Sequence, residues 1–200
     1  MKEIPILRVP ILLASASPRR KFLLQEAGFK LRVLPANIEE TFPENMPFQE
    51  VPVYLSKKKA TALLSSLNAK EIILAADSIV VLKNEVLGKP DNRDEAVTML
   101  NSLSNTSHLV ITGVSLMNLE KALSFSATSE VRFNSLSMEE IEYYVDHFHP
   151  WDKAGSYGIQ EWIGWCKIKE IQGSYSNIMG LPMALVYEKL QEFVAEYGSS

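Results

Sequence analysis

Residues 11–29, ILLASASPRRKFLLQEAGF, decide how the fold is read. Ile11 to Ala14 is a short apolar run that ends in the turn-forming Ser15-Ala16-Ser17-Pro18. The residues after it place Phe22, Leu23 and Ala27 at helical spacing before Gly28, so the order is strand, serine-rich turn, helix. Pro18 suits the first helical turn, where a missing N–H costs nothing.

Working outward, Lys30 to Leu34 reads as a second strand, and Pro35-Ala36-Asn37 leads into the acidic segment Ile38-Glu39-Glu40-Thr41. Val51 to Leu67 carries apolar residues on a helical period. Glu71 to Leu82, EIILAADSIVVL, is β-rich, with Asp77 interrupting it. Asn84-Glu85 predicts a tight connection to a short return strand ending at Gly88-Lys89-Pro90, and Asp94 to Leu103 predicts a helix. His108 to Met117 and Ala127 to Phe133 read as paired strands around Asn118-Leu119-Glu120. Ser137 is a good N-cap for a helix to about His147. Trp165 to Ile171 alternates as a strand, Gly173 to Asn177 reads as a turn, and Pro182 to Val194 as a closing helix. This later half has an α+β character rather than simple βαβ repetition.

Two hundred residues, 46% hydrophobic and 22% charged, predict one globular unit, residues 1–200 as a single domain. A net charge of -4 and a pI near 5.5 argue against a nucleic-acid surface, which needs clustered positive charge. The single cysteine, Cys166, forms no intramolecular disulfide and points to a reducing compartment, the cytoplasm. Arg8 and Pro10 break up the apolar start, so neither a signal peptide nor a membrane span is expected.

Several groups could do chemistry. Ser15-Ala16-Ser17-Pro18-Arg19-Arg20 offers two hydroxyls, backbone N–H groups at a helix start and two fixed positive charges, a combination suited to a polyphosphate. An ordinary helix start with solvated arginines would carry the same residues. Asp77 is sharper, because a carboxylate in ILAADSIVV needs a strand bend, a partner or a cleft to offset its desolvation. It could hold a divalent metal or take a proton from water; a structural Asp bonded to backbone amides is the other reading. Glu40 sits in a polar turn, and Lys59 follows Lys57 and Lys58 in a run of the kind that usually faces solvent. Gly88-Lys89-Pro90 could hold a lysine rigidly, or be a plain β-turn. The segments 152–160, DKAGSYGIQ, and 173–177, GSYSN, could approach a ligand through backbone groups. The patterns GxxxxGK[ST], GxGxxG and GxSxG are all absent, and the histidines show no metal spacing.

Taken in order, SASPRR at 15–20, IEET at 38–41, KKA at 58–60, AADSIVV at 75–81, GKP at 88–90, DKAGSYGIQ at 152–160 and GSYSNIMGLP at 173–182 resemble the Maf-like nucleoside-triphosphate pyrophosphatases over nearly the whole chain. The resemblance implies an α/β fold: a mixed twisted sheet flanked by helices, with two lobes around a substrate cleft, similar to the inosine-triphosphate pyrophosphatases. It implies Asp77 as proton acceptor, Glu40 and Asp77 as holders of a divalent cation (Mg²⁺ or Mn²⁺), and Lys59 beside them. Ser15, Ser17, Arg20, Lys59 and Lys89 would hold the triphosphate. Arg19, Ser78 and Gln160 stand at positions that distinguish the branch acting on dTTP and UTP. Ser78 stands where Thr is frequent, Asn37 and Glu39 where aspartates are frequent, and Asn105 where glycine is usual. The expected reaction cleaves dTTP or UTP to the monophosphate and pyrophosphate, with neither nucleic acid nor membrane as partner and a homodimer as one possible assembly. A nucleotide-binding regulator of septum formation, binding without turnover, is the alternative.

Overall fold

The computed structural model describes residues 4–195. Its first strand, β1 (Ile11–Leu13), leads through the serine turn into α1 (Pro18–Glu26) and back to β2 (Leu31–Val33). The strands β1 and β2 run parallel, Ile11 opposite Leu31. An irregular stretch then reaches α2 (Val51–Ala62), which delivers the chain to β3 (Ile72–Leu82), parallel to β1 on its other side with Ile11 opposite Ile72. After β3 the chain turns at Lys83 and Asn84, both at positive φ, into the short antiparallel β4 (Glu85–Leu87). That pair of left-handed residues is what a two-residue hairpin requires.

The remaining elements are α3 (Arg93–Leu103), β5 (Ser107–Met117), β6 (Ala122–Phe133), α4 (Met138–Phe148), α5 (Trp162–Lys167), β7 (Ile168–Gln172), α6 (Tyr175–Ile178) and α7 (Met183–Ala195). Among the described residues the sheet has seven strands, in the order β2-β1-β3-β5-β6-β7, with β4 on β3. Parallel β1–β3 and antiparallel β6–β7 pairs make it mixed, as expected. Ser137 caps α4 through a full capping box with Glu140.

The described residues form two compact units, one within 1–77, 112–127 and 180–200, the other within 78–111 and 128–179. In the first, the period of two along each strand sorts side chains onto two faces. Ile11, Leu13, Ile72, Leu74, Ala76, Val114 and Leu116 pack with Leu24 of α1 and with Val186, Leu190 and Phe193 of α7. Leu12, Ala14, Ile73, Ala75 and Met117 pack instead with Ala60 and Leu63 at the end of α2. Helices therefore cover both faces, and odd-numbered positions of β3 look toward α2. Gly113 lets α2 come this close: a Cβ there would lie 2.2 Å from the Pro52 carbonyl carbon and from the Val53 nitrogen.

In the second unit, His108, Phe133 and Tyr157 form an aromatic cluster, with His108 Nε2 and the Tyr157 hydroxyl 2.7 Å apart. Here two expectations are corrected. Trp165 to Ile171 is not one strand: Trp165 to Lys167 finish α5, because the Gly164 and Trp165 N–H groups both donate to the Glu161 carbonyl, and only Ile168 onward is strand. The 173–177 segment is not wholly a turn: Tyr175 to Asn177 belong to α6, and Asn177 anchors it, its Nδ2 donating to the Val110 carbonyl and Ser129 Oγ. Asn105, standing where glycine is usual, adopts φ +53°, a left-handed conformation that Asn tolerates better than most residues.

Candidate active site

Strand direction explains where the candidate residues fall. In β1 and β3, parallel neighbours, Leu13 is opposite Leu74, so Ser15 and Asp77 both lie just past the carboxyl end of the shared ladder. The chain leaves β1 for β2 on one side, while β3 leads on to β5 on the other. Such a divergence is where open α/β sheets hold ligands.

At the end of β1, Ser17 caps α1, its Oγ accepting the Arg20 N–H at 3.5 Å. Ser15 is buried, and its Oγ accepts from the Ser17 N–H and from Arg20 Nη1, each at 3.2 Å. Arg20 Nε donates to the Gly180 carbonyl at 2.8 Å. The guanidinium is thus oriented by both the turn and the segment before α7. Burial lowers the Arg20 pKa from its ordinary value, offset in part by Asp77 and Glu40 and reinforced by the neighbouring charge of Arg19. The two acidic groups are therefore within electrostatic reach of this turn.

Asp77 continues the Ile73–Ala75 row toward α2. The residue that meets it is Lys59, whose Nζ donates to Asp77 Oδ1 at 2.6 Å. The solvated-lysine reading of Lys59 is corrected here. Val51, Pro52, Leu55, Ser56, Lys59 and Ala60 are the buried residues of α2, and Lys59, four after Leu55 and three after Ser56, belongs on the buried stripe. The same Nζ lies 2.8 Å from Oε1 of Glu40, whose side chain is half exposed. One ammonium thus joins a buried and an exposed carboxylate.

Glu40 reaches it from a segment with no regular structure, and an unanticipated residue holds that segment. Lys58 Nζ donates to the Glu39 carbonyl at 2.8 Å and to the Thr41 carbonyl and hydroxyl at 3.2 and 3.1 Å. Adjacent lysines on α2 therefore do different work: Lys58 fastens 39–41 from outside, and Lys59 meets the Glu40 side chain from inside. The sequence singled out IEET and KKA separately, but neither their contact nor the fastening.

Ser78, Lys89 and Gln160 belong to the second unit. Ser78 is half-buried and Lys89 exposed, in a turn tied down by the Gly155 N–H, which donates to the Gly88 carbonyl at 3.0 Å. Gln160 sits beside Glu161 and donates to its Oε1 at 3.4 Å. Missed by sequence reasoning are Tyr144, Lys153 and Glu161, which form a buried network around Gln160. Only the third dimension brings Tyr144 of α4 to it.

Among the described residues no three His, Cys, Asp or Glu side chains cluster as a ready-made metal cage. Two carboxylates sharing one ammonium nevertheless fit a hard divalent ion: Mg²⁺ characteristically uses one or two carboxylates, with water and substrate phosphates completing the octahedron.

These features define a mixed α/β protein whose first unit pairs carboxylates around a buried lysine and sets a serine–arginine turn at a helix start, equipment for an anionic substrate. The profile of the Maf-like protein family matches residues 10–193, and the chain belongs to that family. It is 49% identical to the dTTP/UTP pyrophosphatase of Bacteroides thetaiotaomicron over 91% of this chain and 95% of that one. To the dTTP/UTP pyrophosphatase of Phocaeicola vulgatus it is 50% identical, again over 91% of this chain and 95% of the other. Among solved structures, that of the Staphylococcus aureus Ham1 protein is similar over 92% of this chain and 98% of that one, with a TM-score of 0.49 and 18% identity.

Proposed function

We propose that this protein hydrolyses dTTP and UTP to the nucleoside monophosphate and pyrophosphate. The observation that carries the reading is the Glu40–Lys59–Asp77 chain of ion pairs, with contacts of 2.8 and 2.6 Å, within electrostatic reach of Arg20. The names of the relatives, both dTTP/UTP pyrophosphatases, support the choice of nucleotide.

In this reading Asp77 takes the proton from the attacking water as the α-phosphorus is attacked. Lys59 holds Asp77 in place and supplies positive charge beside the reacting phosphate. The Ser15–Ser17 turn and Arg20 bind phosphate oxygens, Arg20 being oriented in advance by Ser15 and Gly180. Glu40 and Asp77 would hold a divalent cation, Mg²⁺ or Mn²⁺, whose chemistry is to neutralise triphosphate charge. Arg19, Ser78, Lys89 and Gln160 are assigned the remaining substrate contacts, Gln160 to the base. Its single amide carries both donor and acceptor, as the edge of a uracil or thymine ring demands. The proposed location is the cytoplasm; among the described residues no helix is long and apolar enough to cross a membrane.

The test is pyrophosphate release from a panel of nucleoside triphosphates with Mg²⁺ or Mn²⁺, comparing wild type with Asp77→Asn. Release from dTTP and UTP that falls about 10²- to 10⁴-fold in a folded mutant is the expected result. Tight nucleotide binding without release from the wild type would leave a binding regulator instead.

A further inference from the structure

The Gln160 amide is held in one sense by a network that the assigned chemistry does not use. Its anchor is Glu161. Oε2 of Glu161 accepts a short hydrogen bond from the hydroxyl of Tyr144, a fully buried residue, and that hydroxyl accepts the Gly158 N–H at 2.9 Å. Oε1 of Glu161 lies 3.2 Å from Nζ of Lys153, itself buried. Burial and the adjacent carboxylate raise the Tyr144 pKa well above its ordinary value, so the phenol remains a donor. Every bond that the Glu161 carboxylate makes here is one it accepts.

A group facing Oε1 must therefore donate. The Gln160 side chain meets Oε1 through Nε2 at 3.4 Å, while its own carbonyl, Oε1, is buried with no hydrogen-bond partner. Gly158 makes room for both side chains: a Cβ there would lie 2.8 Å from Gln160 Nε2 and 2.7 Å from Glu161 Cδ. A buried acceptor left unpaired is costly, and turning the amide over would set its carbonyl against the carboxylate.

We propose that Glu161 is a specificity-positioning residue: by engaging one N–H of the Gln160 amide it fixes which end is donor and which acceptor, and so selects uracil and thymine over cytosine. The inference rests on the base-reading role proposed for Gln160. Uracil and thymine present a carbonyl at position 4 and an N–H at position 3; cytosine presents an amino group and a bare ring nitrogen at the same places. The remaining N–H and the carbonyl of a glutamine fit either edge, but the two fits differ by a half-turn of the amide. A freely turning glutamine reads both bases. One held by a carboxylate reads one.

The test is kcat/KM for UTP, dTTP and CTP in wild type and Glu161→Gln. A glutamine at 161 offers an acceptor or a donor to its neighbour, so the half-turn becomes available. The UTP-over-CTP ratio is expected to fall about ten-fold or more, the size of one lost bidentate base contact, with UTP turnover retained. An unchanged ratio in an enzyme active on UTP overturns the proposal, as does a wild type that accepts CTP as well as UTP. No turnover of UTP or dTTP by wild type would instead remove the reading on which it rests. Should Glu161→Gln fail to fold, the pair Lys153→Met with Glu161→Gln removes both buried charges together, and the same ratio is read.

Discussion

Lys59 Nζ donates to Asp77 Oδ1 over 2.6 Å, with both side chains about nine-tenths buried. A buried pair of this kind is costly to break from one side, because the remaining charge is left uncompensated. Lys59→Met is expected to destabilise the protein by about 3–5 kcal/mol in a urea titration at neutral pH. Adding Asp77→Asn to it should recover most of that loss. A single mutant as stable as wild type would mean that Asp77 is compensated elsewhere.

Lys58 separates stability from activity. Its bonds to Glu39 and Thr41 are exposed, so Lys58→Ala should shift the unfolding free energy by about 1 kcal/mol or less. The segment it releases carries Glu40, and if Glu40 holds the cation as proposed, its displacement should lower the rate steeply. Turnover of dTTP should fall about ten-fold or more while the melting temperature barely moves. Unaltered turnover would show that Lys59 alone places Glu40.

What the sequence made legible followed from strong local physics. Asp77 stood out because a charge in an apolar strand demands a partner, and the partner exists. Ser137 was legible as a cap, and it caps α4. Lys59 was singled out by the resemblance and not by its neighbours: a run of three lysines reads as a solvated face, although its spacing from Leu55 and Ser56 placed it on the buried stripe. Trp165 to Ile171 misled because seven alternating residues do not reveal that the Glu161 carbonyl has captured the Gly164 and Trp165 N–H groups. The Tyr144–Glu161–Lys153 network was illegible, since its members become neighbours only when α4 and the segment before α5 pack.

Gly113 is expected to be intolerant of any side chain. The Cβ of alanine would meet the backbone of α2 at 2.2 Å, and backbone cannot turn aside as a side chain can. Gly113→Ala should cost about 3 kcal/mol or more, at the upper end of overpacking effects. Gly88 is the control, with nothing within 4 Å of the corresponding position. Equal melting temperatures for the two alanine variants would contradict the close approach of α2 to β5.

His108 gives the fold a pH dependence of definite sign. Burial against Phe133 and Tyr157 pushes its pKa down from 6.5 to about 4, so the folded protein holds it neutral while the unfolded chain protonates it near pH 6.5. Between those values the unfolded state binds the extra proton, and stability must rise with pH. The contribution is fully present above pH 6.5 and is lost as pH falls toward 4, about 3 kcal/mol in all. Glu71, held by Arg32 at about 2 against an ordinary 4.5, acts in the same direction but lower, its contribution lost between those two values. The windows separate the two residues. In urea titrations from pH 7 to pH 4.5, His108→Gln should flatten the loss of stability, whereas Glu71→Gln should lower stability at pH 7 and leave the slope over that range in place. A wild-type stability that does not change between pH 7 and pH 4.5 would mean that His108 is protonated in the folded protein after all.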